Sequence, residues 1–269
     1  MLREVGPVRD FSREIFGRRL PAPIVMAPVG VQTLFHPEGE RATAKVFGEL
    51  GLPYTLSSAS SSGFKTIADS NGKDNPRWYQ LYWPSDDDLT ASYLRSAQVN
   101  GYEVLVVTLD TWELGWRPKD LTSGYFPFIR GIGVQLGLED EVAQKKLGFN
   151  ALAPGATKEQ KELAAMYHVL IASSGVSPTW PKLKLLRELW GDKPIVLKGI
   201  QCVEDAELAI QHGMDGIIVS NVSAPARSTR SDKLTKSAAW RKAGRWCRGV
   251  LGRSRQDCGR GQGKDNNWL

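Results

Sequence analysis

The feature that most constrains this chain is a repeated alternation of short apolar segments with longer helical patterns between residues 23 and 220. The apolar segments are rich in Val, Ile, Leu and aromatic residues, and they predict strands over residues 23–29, 53–57, 77–82, 103–109, 194–198 and 215–220. The longer patterns predict helices over residues 38–50, 62–70, 86–100, 158–175, 180–190 and 203–213. Strands that alternate with helices indicate an α/β fold built on a parallel sheet.

Two α/β architectures fit this alternation: an open doubly wound sheet and a TIM (β/α)8-type barrel. The glycine-rich turn of a dinucleotide-binding sheet is absent after the first predicted strand. Polar side chains instead stand at or near the ends of five strands, namely Ser57, Gln80 with Tyr82, Thr108 with Asp110, Lys198 and Ser220. A barrel builds its active site from such residues at the carboxyl ends of its strands, so this pattern favours a barrel. Because only six strands are predicted, we expect an incomplete barrel of about six β/α units.

Residues 111–157 interrupt the alternation. This segment is rich in Gly, Pro and aromatic residues, and it predicts no helix or strand. Long segments of this kind inside a domain are often lids or binding loops, so we expect Trp112, Trp116 and Tyr125 to help shape a pocket.

Charge and composition change abruptly between residues 221 and 222. Residues 222–269 hold 12 Lys and Arg against 3 Asp, a net charge of +9, whereas the preceding 221 residues carry a net charge of −3. Leu, Ile, Val and Phe number only 5 of these 48 residues, below the roughly 20% that an ordered segment needs. We therefore predict a partial barrel domain over residues 1–221 and a disordered, basic, low-complexity tail over residues 222–269.

The basic tail has two interpretations. It could bind nucleic acid through its Arg, Lys and Trp side chains. Arbitrary translated sequence has the same character, and we favour that interpretation, so we expect no nucleic-acid partner.

Composition also bears on the location of the protein. No apolar run approaches the roughly 20 residues of a membrane span. The charged N-terminus lacks the apolar stretch of a signal peptide, and three cysteines are too few for a disulfide framework. We expect a cytoplasmic protein that does not bind a membrane.

Four of the polar residues have both a chemical and a structural interpretation. Lys198 could hold an anion at the mouth of a barrel, or be an ordinary solvated lysine at a strand end. Asp110 could orient a histidine and Arg117 could clamp a carboxylate, or the two could form a structural ion pair. Tyr82 could donate its hydroxyl to a substrate, or fill the core as most strand aromatics do.

The histidines offer no catalytic base. None of His36, His168 and His212 stands at the end of a predicted strand, and no pair has the spacing of metal ligands. We interpret each as a surface or helix residue, and we predict no metal site.

Several motifs, in order from about residue 12 to residue 221, resemble the FMN-dependent α-hydroxy acid oxidoreductases, the family of glycolate oxidase and lactate 2-monooxygenase. The matching stretches are LPAPIVMAPVGVQTLFHPEGERATAKVFGELGLPYTLSSASS, RWYQLYWP, VLVVTLDTWELGWRPKDL, PIVLKGI and DGIIVSN. The stretches TWELGWRPKDL and YFPFIRG resemble the lactate 2-monooxygenase branch in particular.

The resemblance implies a (β/α)8 barrel with FMN at its carboxyl mouth and the oxidation of a small L-2-hydroxy acid to the 2-oxo acid. Oxygen or another acceptor would reoxidise the flavin, and the protein would form a homo-oligomer. The implied cofactor contacts are the backbone of Pro28, Val29 and Gly30, the flavin-edge residues Ser57, Gln80 and Thr108, Lys198 beside flavin N1, and Ser220 near the ribityl chain. The implied catalytic residues are Tyr82 and Arg117, which would bind the substrate, and Asp110, which would support a catalytic imidazolium.

The chain departs from this family after residue 221. The family continues S-N-H-G-[GA]-R-Q, whereas this sequence has Val222 in place of the catalytic histidine and Pro225 in place of a second arginine. The last two barrel strands and an N-terminal segment have no counterpart here, and a reading-frame change, a retained intron or a gene-model error would explain the tail. We expect impaired activity, and the alternative is a non-catalytic truncated barrel that binds a partner.

Overall fold

A five-stranded parallel sheet forms the centre of residues 10–220, the part of the chain that the computed structural model describes. A short antiparallel hairpin, β1 (Arg13–Ile15) and β2 (Arg18–Leu20), precedes it. The sheet has its strands in chain order: β3 (Tyr54–Ser57), β4 (Arg77–Leu81), β5 (Val104–Thr108), β6 (Ile195–Lys198) and β7 (Gly216–Ile218). Every neighbouring pair in this sheet is parallel.

Helices connect the strands, as parallel pairing requires. The helices of the described range are α1 (Glu40–Glu49), α2 (Phe64–Asn71), α3 (Asp87–Val99), α4 (Pro118–Ser123), α5 (Gln135–Glu139), α6 (Glu141–Leu147), α7 (Lys158–Ala172), α8 (Leu183–Trp190) and α9 (Val203–Gln211). Short 3-10 turns are found at Gln32–Leu34, Pro127–Arg130 and Trp180–Lys182. The predicted α/β alternation is confirmed, with the predicted helix 180–190 divided into a 3-10 turn and α8.

The predicted strand over residues 23–29 is wrong. This segment is extended, and the amide of Met26 donates to the carbonyl of Pro53 at 2.9 Å, but no strand ladder forms. Pro23 and Pro28 lack the backbone N–H that a ladder needs, which accounts for the difference. Within the described residues the sheet therefore has five strands and does not close into a barrel.

The segment 111–157 is more ordered than its sequence indicates. It contains α4, α5 and α6, which are only five to seven residues long and so show little helical periodicity. Glycines with a left-handed backbone, Gly124 and Gly148, end two of them. A small apolar core that includes Val134 and Leu138 joins this segment to α7 through Ala164.

The two faces of the sheet have different partners. Tyr79 and Leu81 of β4 belong to the large core that the sheet shares with the helices. Trp78, on the opposite face of β4, belongs to a second buried cluster with Val106 and Val196. We call this second face the concave face. Because side chains alternate along a strand, residues spaced by two along each strand share one of these faces.

The N-terminal hairpin covers the amino end of the concave face. Ile15 and Leu20 pack against Trp78 in the same buried cluster, and the rings of Phe16 and Trp78 lie 5.7 Å apart. The hairpin is held further by Arg18, whose guanidinium donates to the carboxylate of Glu103 at 3.0 Å. The opposite, carboxyl end of the concave face carries the polar side chains that the sequence analysis singled out.

None of the helices in residues 10–220 combines the length and the apolar character that crossing a bilayer requires.

His168 is a helix residue, as predicted, but it is buried rather than on the surface. It lies on α7 with only 7% of its surface exposed, and its Nδ1 is 3.0 Å from the hydroxyl of Tyr93. Burial disfavours the charged imidazolium and lowers the pKa of His168 to about 4.

This burial predicts that acid destabilises the fold through His168. The folded state holds the imidazole neutral down to about pH 4, whereas the unfolded chain takes up a proton near pH 6.5. Stability is therefore complete above pH 6.5 and falls by roughly 3 kcal/mol as the pH approaches 4. Urea unfolding of the wild type and H168Q between pH 7 and pH 4.5 measures this effect. H168Q should show a shallower decline, and equal slopes for the two proteins would contradict the prediction.

Candidate functional site

Four polar side chains form one row across the carboxyl end of the concave face. Backbone pairing places Ser57 opposite Gln80 and Thr108 opposite Lys198. Gln80 pairs with Val106, two residues before Thr108, so the row continues from β4 to β5 on the same face. Ser57, Gln80 and Thr108 are buried, and Lys198 is half-buried.

Hydrogen bonds connect three members of this row. The hydroxyl of Ser57 donates to Oε1 of Gln80 at 3.0 Å, and the backbone amide of Ser58 donates to the same oxygen at 3.1 Å. Nε2 of Gln80 donates to the hydroxyl of Thr108 at 3.0 Å. These three bonds fix the amide plane of Gln80, so the row presents a rigid edge of donors and acceptors.

A second layer of polar residues lies beyond the row. Tyr82 and Asp110 each follow a row residue by two positions, and Ser220 follows Ile218, the residue of β7 that pairs with Lys198. All three therefore share the concave face. Tyr82 is half-buried and lies outside the apolar clusters, so it is not a core aromatic. Burial and the nearby charge of Asp110 raise the pKa of Tyr82, while Arg117 opposes this shift. The hydroxyl of Tyr82 therefore stays protonated and can donate a hydrogen bond.

Lys198 and Asp110 form an ion pair at the edge of the row. Nζ of Lys198 is 3.8 Å from Oδ1 of Asp110, and their side chains are only 15% and 8% exposed. Lys198 is therefore not an ordinary solvated lysine. Gly199 permits this approach, because it has a φ of +105° and a Cβ built there would lie 2.8 Å from Cγ of Asp110.

Arg117 lies outside the buried row. It immediately precedes α4, its side chain is 65% exposed, and its Nη1 is 3.9 Å from Oδ2 of Asp120. Its positive charge acts on the pKa of Tyr82 in the lowering direction, against the larger effect of burial. The structure thus places Arg117 at the rim, on the segment that follows β5.

The backbone of residues 28–30 lies against the loop that follows β3. The amide of Val31 donates to the carbonyl of Ala59 at 2.8 Å. A Cβ at Gly30 would lie 2.7 Å from both Cβ and O of Ala59, so only glycine fits this approach. Val31 itself has a φ of +50°, a strained conformation for a β-branched residue. Pro28, Val29 and Gly30 therefore lie in a loop that the rest of the structure must hold in place.

Sequence reasoning missed two residues that organise this region. The hydroxyl of Ser58 donates to the carbonyl of Gln80 at 2.8 Å and accepts from the amide of Tyr82 at 3.0 Å. Glu40 is fully buried and accepts from the backbone of two loops. Both residues lie in the stretches that carry the family resemblance. Neither belongs to the set of polar residues at strand ends that the sequence analysis used to predict the site.

The other two histidines and the acidic residues of the described range form no metal site. His36 is exposed, and His212 ends α9 with its ring stacked on Trp180 at a centroid distance of 5.5 Å. Within residues 10–220, no group of three or more His, Cys, Asp or Glu side chains has the arrangement of a metal site.

A match to a family model shows to which protein family the chain belongs. The model of the FMN-dependent dehydrogenases matches residues 1–229. The chain belongs to the FMN-dependent dehydrogenase family. It is 45% identical over 216 residues to an FMN-dependent alpha-hydroxy acid dehydrogenase of Schizosaccharomyces pombe, a match that covers 79% of this chain and 52% of that protein. It is also 34% identical over 222 residues to the L-lactate oxidase of Lysinibacillus sphaericus, covering 82% of this chain and 54% of the relative.

Solved structures of this family show the same architecture. Mandelate oxidase with (S)-4-hydroxymandelic acid matches with a TM-score of 0.63 and 33% identity, over 82% of this chain and 57% of that chain. The R163L variant of mandelate oxidase matches with a TM-score of 0.64 and 30% identity, over 90% of this chain and 61% of that chain. The fold is thus an incomplete TIM (β/α)8-type barrel. The chain spans about half the length of the curated relatives it matches.

The residues present at the mouth fit the FMN on which the family depends. A flavin ring edge carries both hydrogen-bond donors and acceptors, and the Ser57–Gln80–Thr108 row supplies a fixed set of both. The hydroxyl of Ser220 is buried without a hydrogen-bond partner in the described part of the chain, as a group that awaits a ligand would be. Lys198 adds a positive charge at the end of the row.

The row also predicts a graded loss of stability on substitution. Q80L would leave the Ser57 hydroxyl, the Ser58 amide and the Thr108 hydroxyl without their buried partner, at a cost of about 1–3 kcal/mol for each group left unsatisfied. T108V removes one partner only, so it should destabilise the protein less than Q80L. Urea unfolding of both variants measures the difference. An equal or smaller loss in Q80L would show that the row is not a connected network.

Proposed function

We propose that this chain binds FMN at the carboxyl mouth of its partial barrel and oxidises a small L-2-hydroxy acid to the 2-oxo acid. The single observation that carries this proposal is the row formed by buried Ser57, Gln80 and Thr108 and half-buried Lys198 across four neighbouring strands. Family membership supports it, because the matched family is FMN-dependent. The barrel domain extends over residues 1–221, and the tail 222–269 is a separate basic segment.

The cofactor residues have distinct roles in this proposal. Ser57, Gln80 and Thr108 hydrogen-bond the flavin edge, and Ser220 offers its unpartnered hydroxyl near the ribityl chain. Pro28, Val29 and Gly30 contact the ring through their backbone, for which the close packing of Gly30 on Ala59 leaves a side-chain-free surface. When bound, FMN supplies the acceptor for the hydrogen and the two electrons that leave the hydroxy acid.

The substrate is bound by residues that lie beyond the row, at the carboxyl side of the sheet. Tyr82, kept protonated by burial, donates its hydroxyl to a substrate oxygen. Arg117 at the rim binds the substrate carboxylate with its exposed guanidinium. Lys198 holds positive charge where negative charge develops during the reaction, and Asp110 balances Lys198 before the cofactor and substrate enter.

The substrate is a small hydroxy acid of the lactate or glycolate class, and the chemistry is most like that of lactate 2-monooxygenase. The stretches TWELGWRPKDL and YFPFIRG support this branch. Oxygen or another acceptor completes the cycle. The protein acts in the cytoplasm as a homo-oligomer, without a membrane or nucleic-acid partner.

Activity of this chain is impaired because the general base is replaced. Val222 stands where the family motif has histidine, and valine cannot accept the hydroxyl proton of the substrate. Loss of a general base typically slows a reaction by 10²–10⁴. Asp110 then has no imidazolium at position 222 to support. If the chain instead has no flavin chemistry, it acts as a non-catalytic barrel that binds a partner.

Flavin binding is tested by titrating the purified protein with FMN and following the quenching of flavin fluorescence. The wild type should bind, and K198M should raise the Kd at least about tenfold, because a charged contact to the ring is lost. K182M is the matched control, since Lys182 pairs with Asp87 and lies over the ring of Trp83, which belongs to the helix-facing core and not to the concave face. No binding by the wild type would overturn the proposed function.

Restoring the family motif tests the cause of impairment. The variant V222H/S223G/P225R/A226Q recreates S-N-H-G-A-R-Q over residues 220–226. It should speed anaerobic bleaching of bound flavin by L-lactate by about 10²–10⁴, because the general base returns. The set S223G/P225R/A226Q, which retains Val222, is the control. Bleaching at the same rate in the wild type and the restored protein would show that Val222 does not limit the reaction.

A further inference from the structure

Glu40 joins two loops at the mouth through one buried carboxylate. It is the first residue of α1 and has no exposed surface. Its Oε1 accepts the backbone amide of Gln32 at 3.0 Å and the backbone amide of Ser61 at 3.0 Å. Gln32 follows the loop 28–31, and Ser61 belongs to the loop after β3, so one oxygen atom fixes both.

Further hydrogen bonds fix the position of these two loops relative to each other. The amide of Val31 donates to the carbonyl of Ala59, and the hydroxyl of Thr33 donates to the hydroxyl of Ser61 at 3.0 Å. The side chain of Gln32 is bonded at both ends, since its Nε2 donates to the carbonyl of Val29 at 2.9 Å and its Oε1 accepts from Thr43 at 2.8 Å. In this set of hydrogen bonds, the carboxylate of Glu40 is the acceptor that carries a formal charge.

The loop needs such a contact because its backbone is strained. Val31 has a φ of +50°, which is unfavourable for a β-branched residue and persists only where surrounding contacts hold it. Oε2 of Glu40 is buried without a hydrogen-bond partner among the described residues, a costly arrangement for a charged group. A carboxylate in this position is therefore poorly explained by stability alone. Its other oxygen secures the backbone that meets the proposed flavin.

We propose that Glu40 is a positioning residue for FMN: it holds the backbone of Pro28–Gly30 against the loop after β3, at the side of the row that begins with Ser57. This inference rests on the proposed function. It assigns Glu40 no contact with the flavin or the substrate, and it predicts that the charge of Glu40 determines how well the loop is ordered and how tightly FMN binds.

The substitution E40Q tests the charge with little change of shape. Charge-assisted hydrogen bonds are roughly twice as strong as neutral ones, so E40Q should raise the Kd for FMN by about tenfold. The matched control is D215N. Asp215 accepts the amide of Ile195 at 2.9 Å at the amino end of the sheet, away from the mouth. D215N should leave the Kd of the folded protein within about twofold of the wild type.

Amide hydrogen exchange of the protein without FMN supplies an independent readout. The amides of Gln32 and Ser61 should exchange at least about tenfold faster in E40Q than in the wild type, and no faster in D215N. Unchanged protection of both amides, or an unchanged FMN Kd in E40Q, would overturn the role of Glu40 while the proposed function stands. Failure of the wild type to bind FMN would overturn the proposed function and, with it, the role of Glu40 toward the cofactor.

Discussion

The register of the parallel ladder from β3 to β7 is the constraint on which the site depends. Backbone pairing sets Ser57 beside Gln80 and Thr108 beside Lys198, so residues separated by up to 141 positions along the chain form one row. A slip of one residue in any strand would turn that strand's polar side chain to the helix-facing core. The same register places Trp78 and Val106 lower on the concave face, where the N-terminal hairpin covers them.

The row and the neighbouring Asp110 are stabilised because their polar groups bind one another. The amide of Gln80 is bonded on both sides, and the charges of Lys198 and Asp110 lie 3.8 Å apart in a largely dehydrated setting. Buried polar groups without partners are costly, which limits how these residues can vary. Among residues 10–220, the buried hydroxyls of Ser220 and Thr111 have no hydrogen-bond partner, which is consistent with a site built around a ligand.

Much of the architecture was predictable from local sequence pattern. Apolar runs with β-branched residues predicted five strands correctly, because strands buried on both faces are nearly continuous in apolar character. The prediction of a strand over residues 23–29 was wrong. Hydrophobic periodicity does not take into account that Pro23 and Pro28 lack backbone N–H groups. The short helices of 111–157 escaped prediction because five to seven residues show little period. His168 was expected on a helix, but its burial depends on Tyr93, 75 positions away.

The sequence by itself determined the family, the strand–helix order and the residue types at the strand ends, because these follow from local composition and contiguous motifs. Only the tertiary structure decided which of those residues meet. It brought Lys198 to Asp110 and left Arg117 at the rim, and it revealed Glu40 as the link between two loops. The physical reason is that hydrogen bonds and ion pairs act over about 3–4 Å in space. Distances this short between residues far apart in the chain arise only when the strands are paired.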